Sequence, residues 1–192
     1  MVRKILKPIL HAVAWLLFRV KKVGEENIPK EGKYILCGNH VHALDAPVII
    51  VSTKRKVRFI AKEELYQNKL YKVLGNVFEV ITIKRNSADM DAIKATLKAL
   101  NNNEIVGIFP EGTRNGMKKN AELKTGAAYF ALKTNTPVIP VGVRGSFKPF
   151  TKVTLVFGKP MDFSEYKDRK NEKEIQEKVT DEIMQEVIKL VG

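Results

Sequence analysis

Short apolar runs alternate with amphipathic stretches along most of this chain, and that alternation narrows its possible folds more than any other feature. Tyr34–Cys37 is a four-residue apolar run between Lys33 and Gly38. Such a run reads as a strand buried on both faces. Val57–Ala61, Val77–Ile83, Ile105–Phe109, Val138–Val143 and Val153–Phe157 read as strands for the same reason. Between them lie helical patterns. Asp45 is placed to cap a helix over Ala46–Thr53, with Pro47 tolerated in its first turn. Glu63–Leu74 reads as a helix. Ser87 is placed to cap another, which carries Ile93, Leu97 and Leu100 and stops at Asn101–Asn103. Ala127–Thr134 is helical, and Ile175, Val179, Ile183 and Val187 form one apolar stripe on a last helix. Strands alternating with helices predict an α/β fold with a mixed central sheet flanked by helices.

The N-terminus departs from this pattern. Its apolar centre, Ile9–Phe18, is 10 residues long and is interrupted by His11. As a helix it would reach about 15 Å, half of the ~30 Å bilayer core. It is too short to span. Arg3, Lys4 and Lys7 precede it, and Arg19, Lys21 and Lys22 follow at once, with no small-residue cleavage site. Basic flanks around Trp15 and Phe18 suit a helix lying among lipid headgroups. A helix packed on the protein's own core is the competing reading. The expected organisation is an interfacial membrane helix over residues 1–24 and an α/β domain over residues 25–192.

Charge points the same way. Lys and Arg number 34 against 21 acidic residues, a formal charge of +13, which favours an anionic partner. A hydrophobic share of 44% is enough for a real core and excludes a disordered tail. Aromatic residues are only 8% and do not interleave with basic clusters, which argues against a nucleic-acid platform. The single cysteine, Cys37, excludes an intramolecular disulfide and a multi-cysteine metal site.

Two segments carry chemistry. Gly38-Asn39-His40-Val41-His42-Ala43-Leu44-Asp45 follows the first core strand. In open α/β sheets, ligands bind outside the carboxyl ends of strands. A histidine five positions before an aspartate, across a turn, can meet it side chain to side chain. The carboxylate would fix the tautomer and leave the other ring nitrogen as a base. Asp45 as a helix cap in a plain structural turn is the alternative. Cys37, inside an apolar strand, reads as an inert core residue rather than a nucleophile. With no G-x-S-x-G elbow either, a base at His40 would act on a nucleophile supplied by the substrate.

The second segment is Phe109-Pro110-Glu111-Gly112-Thr113-Arg114, again after a strand. Gly112 allows close backbone approach, Thr113 offers a hydroxyl, and Arg114 a planar fork for phosphate. Lys84 and Arg85 end an earlier strand, and Lys118, Lys119 and Lys124 follow Arg114. Lys118 and Lys119 read as solvated surface charge. Lys54, Arg55, Lys56 and Arg58 form a further basic cluster, suited to a phosphorylated donor or to membrane.

Four blocks in this order resemble the glycerolipid acyltransferases, specifically 1-acylglycerol-3-phosphate acyltransferases of the short bacterial kind. They are Asn39-His40 through Asp45, Lys84-Arg85, Phe109 through Arg114, and Val138-Ile139-Pro140-Val141. Leu123-Lys124-Thr125-Gly126-Ala127 is similar to a further turn of the family. The resemblance covers about Lys33 to Pro160. It implies an α/β domain docked on the cytoplasmic side of the cell membrane, as a peripheral or monotopic protein. It implies transfer of an acyl group from acyl-CoA or acyl carrier protein to the sn-2 hydroxyl of 1-acylglycerol-3-phosphate, giving phosphatidic acid. By the same resemblance His40 is the general base and Asp45 orients it. Arg85, Glu111, Gly112, Thr113 and Arg114 hold the glycerol phosphate, Lys124 supports them, and Pro140 lies near the acyl chain. No metal, cofactor or covalent enzyme intermediate is implied. The implied partners are lysophosphatidic acid, the acyl thioester, anionic phospholipid and acyl carrier protein, with no nucleic acid. Two features depart from the family: His42 stands where serine is common, and the strand before Lys84-Arg85 lacks a frequent proline. Another lysolipid or hydroxyl acceptor, or a non-catalytic basic module binding membrane or nucleic acid, are the rival readings.

Overall fold

The computed structural model describes residues 2–84, 89–116 and 122–192. Seven strands form one sheet: β1 (Lys21–Val23), β2 (Tyr34–Gly38), β3 (Val57–Lys62), β4 (Ile81–Ile83), β5 (Ile105–Ile108), β6 (Val138–Gly145) and β7 (Val153–Phe157). Their order across the sheet is β1-β7-β6-β2-β5-β3-β4, parallel throughout except for the antiparallel β6–β7 pair. Six helices flank it: α1 (Val2–Phe18), α2 (Asp45–Ser52), α3 (Lys69–Phe78), α4 (Met90–Asn101), α5 (Gly126–Thr134) and α6 (Lys173–Val191).

Alternate residues of the central strands feed two cores, because successive side chains leave a strand on opposite faces. Tyr34 and Leu36 of β2 pack with Val57, Phe59 and Ile105 under α1, α2 and α3. Ile35 and Cys37 pack with Val106, Ile108 and Val138 under α4, α5 and α6. Leu36 and Ile183 are almost wholly buried, one in each core. Truncating either to alanine is worth roughly 2–5 kcal/mol. The mixed α/β sheet therefore stands as expected, as three layers.

Several boundaries differ from the sequence reading. Val77 and Phe78 end α3 instead of opening a strand, and Glu79 stops the helix with a left-handed backbone (φ 53°). Their branched and aromatic side chains suit a buried helix end as well as a strand. Glu63–Gln67 is a 3-10 turn, and α3 begins only at Lys69, capped by Asn68. Asp89, not Ser87, caps α4: its carboxylate accepts the N–H groups of Asp91 and Ala92. Ser87 lies outside the described residues. Lys21 and Lys22, expected as flanking charges, form edge strand β1 against β7.

α1 lies on the α2–α3 side of the sheet. Ala14 and Phe18 are buried against the core, and the Lys7 ammonium donates to the carbonyls of Lys54 (3.4 Å) and Arg55 (3.2 Å) just past α2. Burial, helped by nearby Arg3, pushes Lys7 down to about 8. Among the described residues, no helix is long and apolar enough to cross a membrane.

The basic cluster before β3 has mainly internal work. Arg55 donates to the carbonyls of Gly32 and Asn103. Lys56 pairs with Glu79 at 2.6 Å, and Arg58 with Glu104 at 3.3 Å. The cluster leads into and opens β3, whereas His40 follows β2. The two are therefore at opposite ends of the sheet, and the cluster does not reach the His40 loop.

Candidate active site

The loop after β2 is built around one carboxylate. Asp45 is fully buried at the start of α2. Its Oδ2 accepts the His40 ring Nδ1–H at 2.8 Å and the backbone N–H groups of Val41 (2.7 Å) and His42 (2.8 Å). It makes no capping bond to its own helix, whose N-cap position is Leu44. The structure thus replaces the capping role with a turn in which one oxygen gathers three donors. A carboxylate accepting Nδ1–H puts the neutral ring's proton on Nδ1 and leaves a lone pair on Nε2. His40 keeps 21% of its side chain exposed.

The plane of the His40 ring has a separate cause. Phe109 stacks on it at 4.4 Å with only 6° between the planes, and Phe59 stacks in turn on Phe109 at 5.2 Å. Gly107 makes this ladder possible. A Cβ there would meet the Phe59 ring at 2.5 Å, so only glycine lets that ring lie over β5. Stacked rings fix tilt, and the Asp45 bond fixes rotation about the ring normal.

The backbone of His40 is clamped by the neighbouring loop. β2 and β5 are adjacent, so the loops after them meet. The Glu111 carboxylate accepts the His40 N–H at 2.7 Å, and the Asn115 N–H donates to the His40 carbonyl at 2.6 Å. Glu111 is 2% exposed. Its carboxylate holds the His40 backbone from beneath; the family resemblance also implied a part for it in holding the glycerol phosphate. Gly112 turns the loop with φ 60°, a left-handed conformation that favours glycine.

Thr113 and Arg114 lie on the exposed side of this loop. Arg114 makes no ion pair among the described residues. Lys124 lies beside them: its backbone N–H donates to the Pro110 carbonyl, and its stem runs within 3.5 Å of where a Gly112 Cβ would stand. Its ammonium pairs with exposed Glu122 at 2.8 Å, a surface contact worth little and easily exchanged. Arg85 lies outside the described residues. Its neighbour Lys84 is exposed at the end of β4, three strands from β2 and so roughly 14 Å across the sheet.

The structure also places two other residues singled out in the sequence. Pro140, which the resemblance set near the acyl chain, packs beside Gly158 and Leu190 of α6. Cys37 is buried, and burial pushes its thiol well above the ordinary range, as suits a core residue rather than a nucleophile. Among the described residues, no group of three or more His, Cys, Asp or Glu is placed to hold a metal ion.

Three residues have roles that escape sequence reasoning, although Asn39 and Phe109 stand within the motif blocks. Asn39 is buried and pairs with Val143 in both directions, its amide donating at 3.0 Å and its oxygen accepting at 2.7 Å. It extends the β2–β6 ladder by a side chain and anchors the residue before His40. Phe109 carries the stack just described. Phe147 stacks on His42 at 4.8 Å, while the His42 Nδ1 accepts the Leu44 N–H. Partners this distant in the chain leave no local signal, although a buried asparagine after a strand is itself a hint.

A carboxylate-oriented histidine beside a glycine-turned basic loop, at the carboxyl edge of a parallel sheet, defines a site fitted for proton abstraction next to an anion. The sequence profile of the Acyltransferase family matches residues 19–144, and this chain belongs to that family. A 1-acyl-sn-glycerol-3-phosphate acyltransferase of Borreliella burgdorferi is 33% identical over 142 residues, covering 72% of this chain and 56% of that protein. One of Bacillus subtilis is 29% identical over 154 residues, covering 77% and 76%. The chain thus spans between half and three quarters of these relatives. The crystal structure of the 1-acyl-sn-glycerophosphate (LPA) acyltransferase PlsC from Thermotoga maritima matches with a TM-score of 0.69 and 26% identity, over 98% of this chain and 80% of that one.

Proposed function

We propose that this protein transfers a fatty acyl group from an acyl thioester to the sn-2 hydroxyl of 1-acylglycerol-3-phosphate, giving phosphatidic acid. The observation that carries the reading is the 2.8 Å bond between His40 and buried Asp45, directly beside the loop bearing Arg114. The names of the relatives supply the substrate class.

In this reading Arg114, with Arg85 and Lys124, holds the acceptor phosphate, and Thr113 adds a hydroxyl. Holding it there brings the acceptor hydroxyl to His40 and turns binding energy into orientation. His40 Nε2 takes the hydroxyl proton as the oxygen attacks the thioester carbonyl. The new C–O bond forms and the C–S bond breaks. The imidazolium, stabilised by Asp45, returns its proton to the departing thiolate. Direct transfer, with no acyl-enzyme, is supported by the burial of Cys37 inside β2. The thioester is acyl-CoA or acyl carrier protein, and the enzyme works on the cytoplasmic face of the membrane, with the outer face of α1 among lipid headgroups.

Detergent-solubilised protein with labelled acyl-CoA and 1-acylglycerol-3-phosphate tests this. Phosphatidic acid is the expected product. Arg114→Ala should raise the acceptor KM about tenfold or more while moving the donor KM little. An equal effect on both substrates would contradict the phosphate clamp.

A further inference from the structure

Phe150 is a large aromatic side chain from which the fold itself gains little. It lies in the turn between β6 and β7, is 71% exposed, and has a left-handed backbone (φ 64°) that disfavours any residue with a Cβ. A hydrogen bond holds it there: its N–H donates to the Leu17 carbonyl at 2.5 Å. Phe147, three residues earlier, packs edge-on against Phe18 at 5.5 Å. The turn is therefore fastened to the C-terminal end of α1, where Trp15 and Leu16 are also exposed, at 61% and 63%.

α1 has two apolar faces. Leu10, Ala14, Leu17 and Phe18 face the core. Val2, Ile5, Ile9, Val13 and Leu16 recur at steps of three and four, and every one is exposed. At ~100° per residue they form a single outer stripe. α3 lies on the same side of the sheet and adds exposed Leu70 and Val73. Together α1, α3 and the turn over residues 146–152 contain seven Lys or Arg and no Asp or Glu. The helices of the opposite layer, α4 to α6, contain six of each. Exposed apolar side chains set among an excess of cations, with Glu63, Glu64 and Glu79 as the exposed acidic residues bordering α3, match an anionic phospholipid surface.

We propose that Phe150 and the Leu70–Val73 pair are lipid contacts, which join the outer stripe of α1 in one docking surface for an anionic bilayer. This deepens the reading that α1 lies among headgroups. Its consequence is orientation. Phe147 of the same turn stacks on His42, two residues from His40, so contact at Phe150 brings the His40 edge of the sheet to the lipid. A helix docked alone could roll about its axis; α1, α3 and the turn together cannot.

Trp15 is the only tryptophan, so the double variant Trp15→Phe, Phe150→Trp reports from the turn alone. Vesicles of phosphatidylcholine with phosphatidylglycerol should shift its emission to the blue, and brominated acyl chains should quench it. Leu70→Trp in the same background should behave alike, and Ile188→Trp on α6 should not respond. Phe150→Ser should lower the vesicle partition coefficient about tenfold. The side chain is exposed, so the variant should keep the fold, which circular dichroism checks. If Trp15 of the unmodified protein responds to vesicles while Trp at position 150 does not, α1 docks alone and this proposal fails. If neither responds, the headgroup reading of α1 fails with it. A blue shift without vesicles, at twice the monomer mass, would instead make a second copy the occupant and overturn the proposal.

Discussion

The two helical layers use the same strands and bury equivalent side chains, yet their outer surfaces differ. α4, α5 and α6 present balanced charge, and exposed large apolar residues there are confined to Met90 and Ile188 among those described. α1 and α3 present eight such residues, with lysine and arginine as their charged groups. The buried halves of both layers explain the fold. Only the outer half of one layer remains unexplained by it, and that layer carries the His40 stack: Phe59, Phe109 and Val41 belong to its core. The site and the lipid-suited surface share one side of the sheet.

The largest effect that separates the layers should come from Asp45→Asn. The amide keeps the shape but no longer holds Nδ1–H as an anion does, so transfer should fall about 10³-fold with the fold retained. A variant within tenfold of wild type would mean that the His40–Asp45 bond is structural only. Next comes charge. Lys69→Glu with Lys72→Glu on α3 should weaken binding to anionic vesicles about thirtyfold. Lys173→Glu with Lys189→Glu on α6 changes net charge equally and should leave binding nearly unchanged. Similar losses from both pairs would show that net charge, not this layer, drives docking.

The smallest effect concerns how α1 is held. Folding lowers Lys7 to about 8 from its ordinary 10.5. Between those values the unfolded chain binds a proton that the folded chain does not, so stability should rise with pH across about 8 to 10.5. Urea titrations at several pH values should show this slope, and Lys7→Met should remove it. Because Lys7 is half exposed, the slope should be shallow.

Much of the fold was legible because its signals are local. Tyr34–Cys37 could only be a doubly buried strand, and Ile175, Val179, Ile183 and Val187 only a helix stripe. Val77–Phe78 misled because a buried helix end and a strand use the same residue types. Lys21–Val23 misled because three residues on a sheet edge carry no periodicity. The His40–Asp45 pair was legible since five residues across one turn can close on themselves. The Glu111 and Asn115 clamps, the Phe59–Phe109 ladder and the Asn39–Val143 pairing join residues some 50 to more than 100 positions apart. Only the strand order β6-β2-β5-β3 brings them together.

The most direct test of the proposed chemistry compares wild type with His40→Ala, using labelled acyl-CoA and 1-acylglycerol-3-phosphate in detergent. The ring is partly exposed and contributes little to the core, so the variant should fold. Phosphatidic acid from wild type alone is the predicted result. Product from both proteins at similar rates would contradict a base at His40.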